Sequence, residues 1–239
     1  MTKTVKRARG LLWKTFSYTL GVLFVALLLY QSWFAAHIWY WTSHNPESTS
    51  FMRARLERLR ANNPNANLKQ RWASYARISD ELKRAVIVAE DAKFSGHDGF
   101  DWEGIQKAME KNQRKGRVVA GGSTISQQLA KNLFLSGEKN LWRKGQEAVI
   151  TSMLEMLMEK KRILEIYLNV AEWGEGVFGA EAAARHYYGV GAAGLNTVQA
   201  ARLAAILPRP LYYERNRDSA FLQRYSETIR ARMPSARLP

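Results

Sequence analysis

From residue 15 to residue 36 the chain reads TFSYTLGVLFVALLLYQSWFAA, without one charged side chain. As a helix, this run reaches ~33 Å, enough to cross a bilayer's hydrocarbon core. Trp13 and Tyr18 mark one end, and Trp33, Trp39, Tyr40 and Trp41 the other, where amphipathic rings settle at headgroup level. The run is too long for a signal-peptide core and no small-residue cleavage site follows it, so the pattern predicts an uncleaved anchor over 15–41.

Residues 42–79 are polar and broken at Asn45-Pro46 and at Asn62-Asn63-Pro64. They predict a connector with one basic helical piece, around Phe51 to Arg60. From residue 80 the apolar spacing is helical almost throughout. Ser79 or Asp80 caps a helix bearing Leu82, Ala85, Val86 and Ala89, and Asp101 caps one bearing Ile105, Ala108 and Met109 that ends near Gly116. Thr124 with Gln127, and Asn196 with Gln199, have capping-box spacing; the second helix must end near Leu207, before Pro208 and Pro210. A long apolar-periodic stretch fills 141–169, and 219–233 predicts a last amphipathic helix. Strand signals and repeats are nearly absent, so the expectation for 80–239 is one mainly α domain.

Charge adds an orientation and a class of partner. Lys3, Lys6, Arg7, Arg9 and Lys14 precede the anchor with no acidic residue among them, which predicts a cytoplasmic tail over 1–14 and everything after the anchor outside. The net charge is +15, and about +10 remains once those five are set aside. An exported, tethered domain of that sign suits anionic lipid headgroups or a lipid-linked phosphate better than nucleic acid. Arg53, Arg55, Arg58 and Arg60 are either contacts for acidic headgroups or a solvated helix face. The chain has no cysteine, which is compatible with an oxidising exterior without requiring it.

Three attractive motifs fail. GEGVFG at 174–179 has the letters of a dinucleotide fingerprint, but no βαβ unit surrounds it, and turn glycines explain it better. Ser136-Gly-Glu-Lys139 has the S-x-x-K spacing of transpeptidases without a following K-T-G. The histidines, His37, His44, His97 and His186, are scattered and have no zinc-site spacing; His97 reads as a structural residue in a turn.

What remains is a set of acids and bases. In AVIVAEDAKF, residues 85–94, Glu90 shares a helix face with Val86, Ile87 and Phe94, an apolar setting that raises a carboxyl pKa and suits a general base. Asp91 points about 100° away. From this stretch alone the choice between a base and a buried salt bridge stays open. GGSTISQQLAKN, residues 121–132, sets two glycines before a helix start, a place favourable to an anion. Lys131 follows two turns on, and then Lys139, Arg143, Lys144 and, one helical step from Arg143, Glu147.

Taken together these segments resemble the peptidoglycan glycosyltransferase family. EDAKFSGHDGFD is similar to its E-D-x-x-F-x-x-H-x-G-F-D element, GGSTISQQLAKN to G-G-S-T-I-T-Q-Q-L-x-K-N, and RKGQE to R-K-x-x-E. KKRILEIYLN is similar to K-x-x-I-L-E-x-Y-L-N, and AARHYYG to its A-x-x-Y-F-G element; the departures are Ser126 for threonine and Tyr188 for phenylalanine. The resemblance covers about 85–210 and implies a lysozyme-like fold in the monofunctional, membrane-anchored form. The activity it implies is inverting polymerisation of lipid II into β-1,4 glycan with release of polyprenyl diphosphate. It implies Glu90 as general base, Glu147 as a carboxylate that assists the departing pyrophosphate through a bound cation or by positioning the basic residues, and Lys131, Lys139, Arg143 and Lys144 as pyrophosphate ligands. Ser123, Thr124, Gln127 and Gln128 would form the polar cleft wall, and the loop 114–122 a mobile flap over the donor site. No protein metal site is expected, with a divalent cation (Mg or Mn) at the pyrophosphate left open.

Expected partners are lipid II, the growing lipid-linked glycan, membrane lipids, and other cell-wall synthases or division proteins; the expected place is the bacterial inner membrane, catalytic domain in the periplasm. A lytic hydrolase on the same scaffold and a non-catalytic assembly scaffold are the alternatives.

Overall fold

The structure, a computed structural model, describes residues 3–117, 121–138 and 140–239, with side chains from residue 12 onward. It divides into two compact units, Met1–Ser43 and His44–Pro239. The first is the helix α1, Lys3–Tyr40, which starts inside the basic tail. Its segment Leu12–Tyr40, 29 residues, is long and apolar enough to cross a membrane.

The second unit begins with α2 (Ser50–Asn62) and β1 (Lys69–Gln70), followed by α3 (Asp80–Glu90), α4 (Trp102–Lys115), α5 (Ile125–Phe134), α6 (Leu141–Leu157) and α7 (Lys160–Val170). Then come β2 (Glu172–Gly174), β3 (Val177–Phe178), α8 (Ala180–Tyr188), α9 (Thr197–Ile206), α10 (Pro210–Arg215) and α11 (Ala220–Arg232). The mainly α expectation holds. The expected caps form at Ser79, Asp101, Thr124 and Asn196, with full capping boxes at Thr124–Gln127 and Asn196–Gln199, and Ser219 caps α11 as well.

Two features differ from the sequence reading. The stretch 141–169 is two helices, because Met158 and Glu159 adopt extended backbone; neither glycine nor proline marks that break. Residues 44–79, expected as a connector, fold into the second unit. β1 pairs in parallel with β3, Lys69 opposite Val177 and Gln70 opposite Phe178, and β2 pairs antiparallel on the other side. Strands this short carry no readable alternation.

α7 is buried over most of its length: Ile163, Leu164 and Ile166 to Val170 are all enclosed, as a helix at a domain's centre should be. Its Asn169 grips residue 73 from both sides, Oδ1 accepting from the Ala73 amide at 2.8 Å and Nδ2 donating to the Ala73 carbonyl at 2.9 Å. Gly179 closes the β2–β3 hairpin at φ +86°, where a Cβ would lie 2.7 Å from the Asn169 carbonyl oxygen. Only glycine fits there. Of the GEGVFG glycines, Gly176 makes the β2–β3 turn and Gly179 the entry to α8, while Gly174 ends β2.

Candidate active site

The site is built where α3 ends and α5 begins. Asp91, the first residue past α3, is buried, and its carboxylate reaches across to α5. Oδ2 accepts from the Ile125 amide at 3.1 Å, and Oδ1 pairs with His97 Nε2 at 2.9 Å. Thr124 Oγ1 accepts from the Gln127 amide at 3.2 Å while donating to the Gly99 carbonyl at 2.7 Å, and Gln127 Oε1 accepts from the Thr124 amide at 3.0 Å. Thr124, Gln127, Asp91 and His97 therefore lock one end of α3, the 97–99 turn and the start of α5 together. The anion that the α5 terminus favours is supplied from within, by Asp91.

That lock places Glu90, the last residue of α3, against the first turn of α5. Gln128 Nε2 donates to Glu90 Oε2 at 2.6 Å, and Tyr167 of α7 donates its hydroxyl to Gln128 Oε1 at 2.9 Å. Glu90 Oε1 is enclosed and has no hydrogen-bond partner. Burial pushes the Glu90 carboxyl above the ordinary carboxylate range; the Gln128 bond and the Lys131 charge oppose this, and Asp91 adds to it. The C-terminal end of a helix, where Glu90 sits, also disfavours a negative charge. Glu90 thus makes no salt bridge with a described residue, and burial raises its affinity for a proton.

Lys131, one turn beyond Gln128, is coupled electrostatically to Glu90 and to a second charged group. Burial lowers its pKa; Glu147 and Glu90 counter that, while Arg143 and Lys144 reinforce it. Its ammonium sits 5.5 Å from the Phe51 ring centroid and makes no ion pair with a described residue. Glu147 is buried on α6, Oε2 accepting from Arg143 at 2.6 Å and Oε1 from Lys144. One carboxylate thus holds two cations beside a third. Each Glu147 oxygen accepts one cation's hydrogen bond, and no cluster of three His, Cys, Asp or Glu among the described residues could hold a metal ion. Lys139 lies outside the described residues, as do residues 118–120 of the expected 114–122 flap.

Two cavities meet here. One of about 140 Å³ is lined by Glu90, Asp91, Ser123 and Thr124; Ser123 is exposed at its mouth. The other, about 470 Å³, has Gln128, Lys131, Phe51 and Arg209 in its wall. The Glu90–Gln128 hydrogen bond joins the two linings. Of the four residues expected in the polar wall, Ser123 lies exposed at the smaller cavity and Gln128 lines the larger one with both ends of its amide engaged, while Thr124 and Gln127 use their hydrogen bonds at the helix start.

Sequence reasoning missed Tyr167, although KKRILEIYLN contains it, because a tyrosine on a buried helix reads as core. It also missed that Arg55 is neither a headgroup contact nor solvated. Arg55 forms a two-pronged pair with Glu172, Nε to Oε1 at 2.6 Å and Nη2 to Oε2 at 2.8 Å, fastening α2 to β2. That hydrogen bond is the main reason its pKa rises.

A transglycosylase family model matches residues 57–234. Among curated relatives, the biosynthetic peptidoglycan transglycosylase of Methylobacillus flagellatus is 62% identical over 90% of this chain and 94% of its own length. Its namesake in Herminiimonas arsenicoxydans is 61% identical over 89% and 92%, and that of Nitrosospira multiformis 57% over 95% and 97%. With its lysozyme-like, mainly helical domain and the acid–cation constellation around Glu90, the chain belongs to the transglycosylase family.

Proposed function

We propose that the chain is a peptidoglycan glycosyltransferase that polymerises lipid II at the outer face of the bacterial inner membrane. Glu90 Oε1 takes the proton from the acceptor sugar's 4-hydroxyl as that oxygen attacks the donor's anomeric carbon. The C–O bond to the diphosphate breaks, and its electron pair leaves on the lipid diphosphate. Lys131, Arg143 and Lys144, joined by Lys139 on the sequence resemblance alone, neutralise the charge that develops there. Inversion from α-linked donor to β-1,4 product needs one base opposite the leaving group and no covalent nucleophile. Glu147 then serves by holding Arg143 and Lys144 in place.

The observation that supports this reading is a partner-free Glu90 oxygen near a lysine, Lys131, whose charge is coupled both to Glu90 and to Glu147 with its two cations. A divalent cation, Mg or Mn, would be carried by the diphosphate's own oxygens. Residues 1–14 form the cytoplasmic tail and 15–41 the anchor, which keeps the domain near a substrate that cannot leave the bilayer. The catalytic domain extends back beyond residue 80 to include α2 and β1, so of the expected connector 42–79 only the first residues lead out of the anchor. Partners are the growing lipid-linked glycan, membrane lipids, and neighbouring wall synthases or division proteins.

The test is polymerisation of labelled lipid II by the full-length protein in detergent, followed by lysozyme digestion of the product. The expected result is a lysozyme-sensitive polymer, lost in Glu90→Gln while the fold persists. Polymerisation retained by Glu90→Gln would overturn the base assignment.

A further inference from the structure

We propose that Tyr167 and Gln128 are positioning residues for Glu90: the tyrosine hydroxyl fixes the Gln128 amide, whose N–H holds one carboxylate oxygen and leaves the other to accept the proton. This rests on the assignment of Glu90 as base, and assigns to Gln128 a task beyond lining the cleft.

The direction of the chain follows from donors and acceptors. A tyrosine hydroxyl at 2.9 Å from Gln128 Oε1 donates to it, which turns the amide nitrogen toward Glu90 Oε2 at 2.6 Å. A flipped amide would set a carbonyl oxygen against a carboxylate oxygen. Burial, with the charges of Glu90 and Asp91, drives the Tyr167 pKa well up, so the hydroxyl keeps its proton wherever the enzyme works. Tyr167 is 1% exposed; it acts on the reaction through Gln128.

The consequence for Glu90 is twofold. Its two oxygens are made inequivalent, one tied and one free, which selects the orientation in which it meets an incoming hydroxyl. The N–H bond also favours the ionised carboxylate against its burial. Other groups facing Glu90 are Lys131 from α5, Asp91 beside it, and Tyr225 from α11, whose hydroxyl donates to the Ala89 carbonyl at 3.3 Å. α9, which also packs on α3, brings only Arg202, engaged with Asp218 at 3.7 Å; the 233–235 turn brings no charge. Gln128 is thus the neutral group that holds the carboxylate.

The experiment measures kcat and KM across pH for full-length wild type, Tyr167→Phe, Gln128→Met and the double variant, with labelled lipid II. Expected is a kcat loss of roughly tenfold or more with KM within about twofold. The acid limb should move up by about 1 pH unit. The double variant should be no worse than Gln128→Met alone, because one residue works through the other. Loss confined to KM with an unmoved acid limb, or additive losses in the double variant, would overturn the inference. If Tyr167→Phe fails to give a native melting curve, Gln128→Met carries the test by its kcat–KM split and acid limb. Glu90→Gln separates the two levels. If it is active, the base assignment falls, whereas an inactive Glu90→Gln beside unmoved profiles in the other two variants refutes the positioning role alone.

Discussion

Replacing Asp91 by alanine removes a carboxylate whose side chain is 2% exposed and whose oxygens each hold a partner from a different segment, the Ile125 amide and His97. Hydrogen bonds to a charged group contribute roughly 1.5–3 kcal/mol apiece, and the Ile125 amide would be left buried without an acceptor, so the loss should come to about 4 kcal/mol. In a domain of this size that lowers the melting temperature by roughly 10 °C. The adjacent substitution should act with the opposite sign. Glu90 has its pKa raised by burial, so the native state binds that proton more tightly than the unfolded chain. The wild type therefore loses stability relative to Glu90→Gln as pH rises above the ordinary carboxylate range, and the difference closes at lower pH where both states are protonated. Thermal melts of the full-length protein in detergent at several pH values measure both effects. A melting point for Asp91→Ala within about 2 °C of wild type, or a Glu90→Gln gap that does not widen with pH, would refute this division of labour.

Arg55→Ala should destabilise by about 3–5 kcal/mol, because it strands Glu172, 13% exposed, without its cation; denaturant titration measures it, and Arg55→Lys should rescue only part, since an ammonium cannot match the two-pronged geometry. Gly179→Ala should cost about 2–4 kcal/mol, from backbone strain at φ +86° and the 2.7 Å approach to the Asn169 carbonyl oxygen, read in the same titration. Glu147→Gln removes a charge that supports protonation of Lys131, so the alkaline limb of the pH–rate profile should move to lower pH while the acid limb set by Glu90 stays put.

Local chemistry made much of this legible. Ser79, Asp101, Thr124, Asn196 and Ser219 cap their helices through their own side chains, so each start is written within four residues. Glu90 stood out because an acid on an apolar helix face needs either a partner or a task. What sequence could not carry was the identity of distant partners. Asp91 and Ile125 are far apart in the chain, as are Arg55 and Glu172, and either arginine or acid alone reads as an ordinary surface charge. The glycines before α5 suggested an open anion site, yet the site is filled by Asp91, a contact that requires α3 and α5 to be docked first. Tyr167 was hidden for the converse reason: burial is so ordinary for α7 that its one polar atom gave no signal.

The helix α5 connects the two halves of the chemistry. Gln128 and Lys131 stand three residues apart on it, so they share a face and differ by ~4.5 Å along the axis. Gln128 holds Glu90 and Lys131 is coupled to Glu147 and its cations, so on the proposed mechanism that helical step sets the spacing between the base and the charge that meets the leaving group. Inversion asks for such a spacing, with base and departing phosphate on opposite sides of the anomeric carbon. The buried lock of Asp91, His97, Thr124 and Gln127 keeps α5 from sliding along α3. Stability of that junction and the rate of transfer are therefore coupled, and a substitution that loosens the lock should lower kcat before it unfolds the domain.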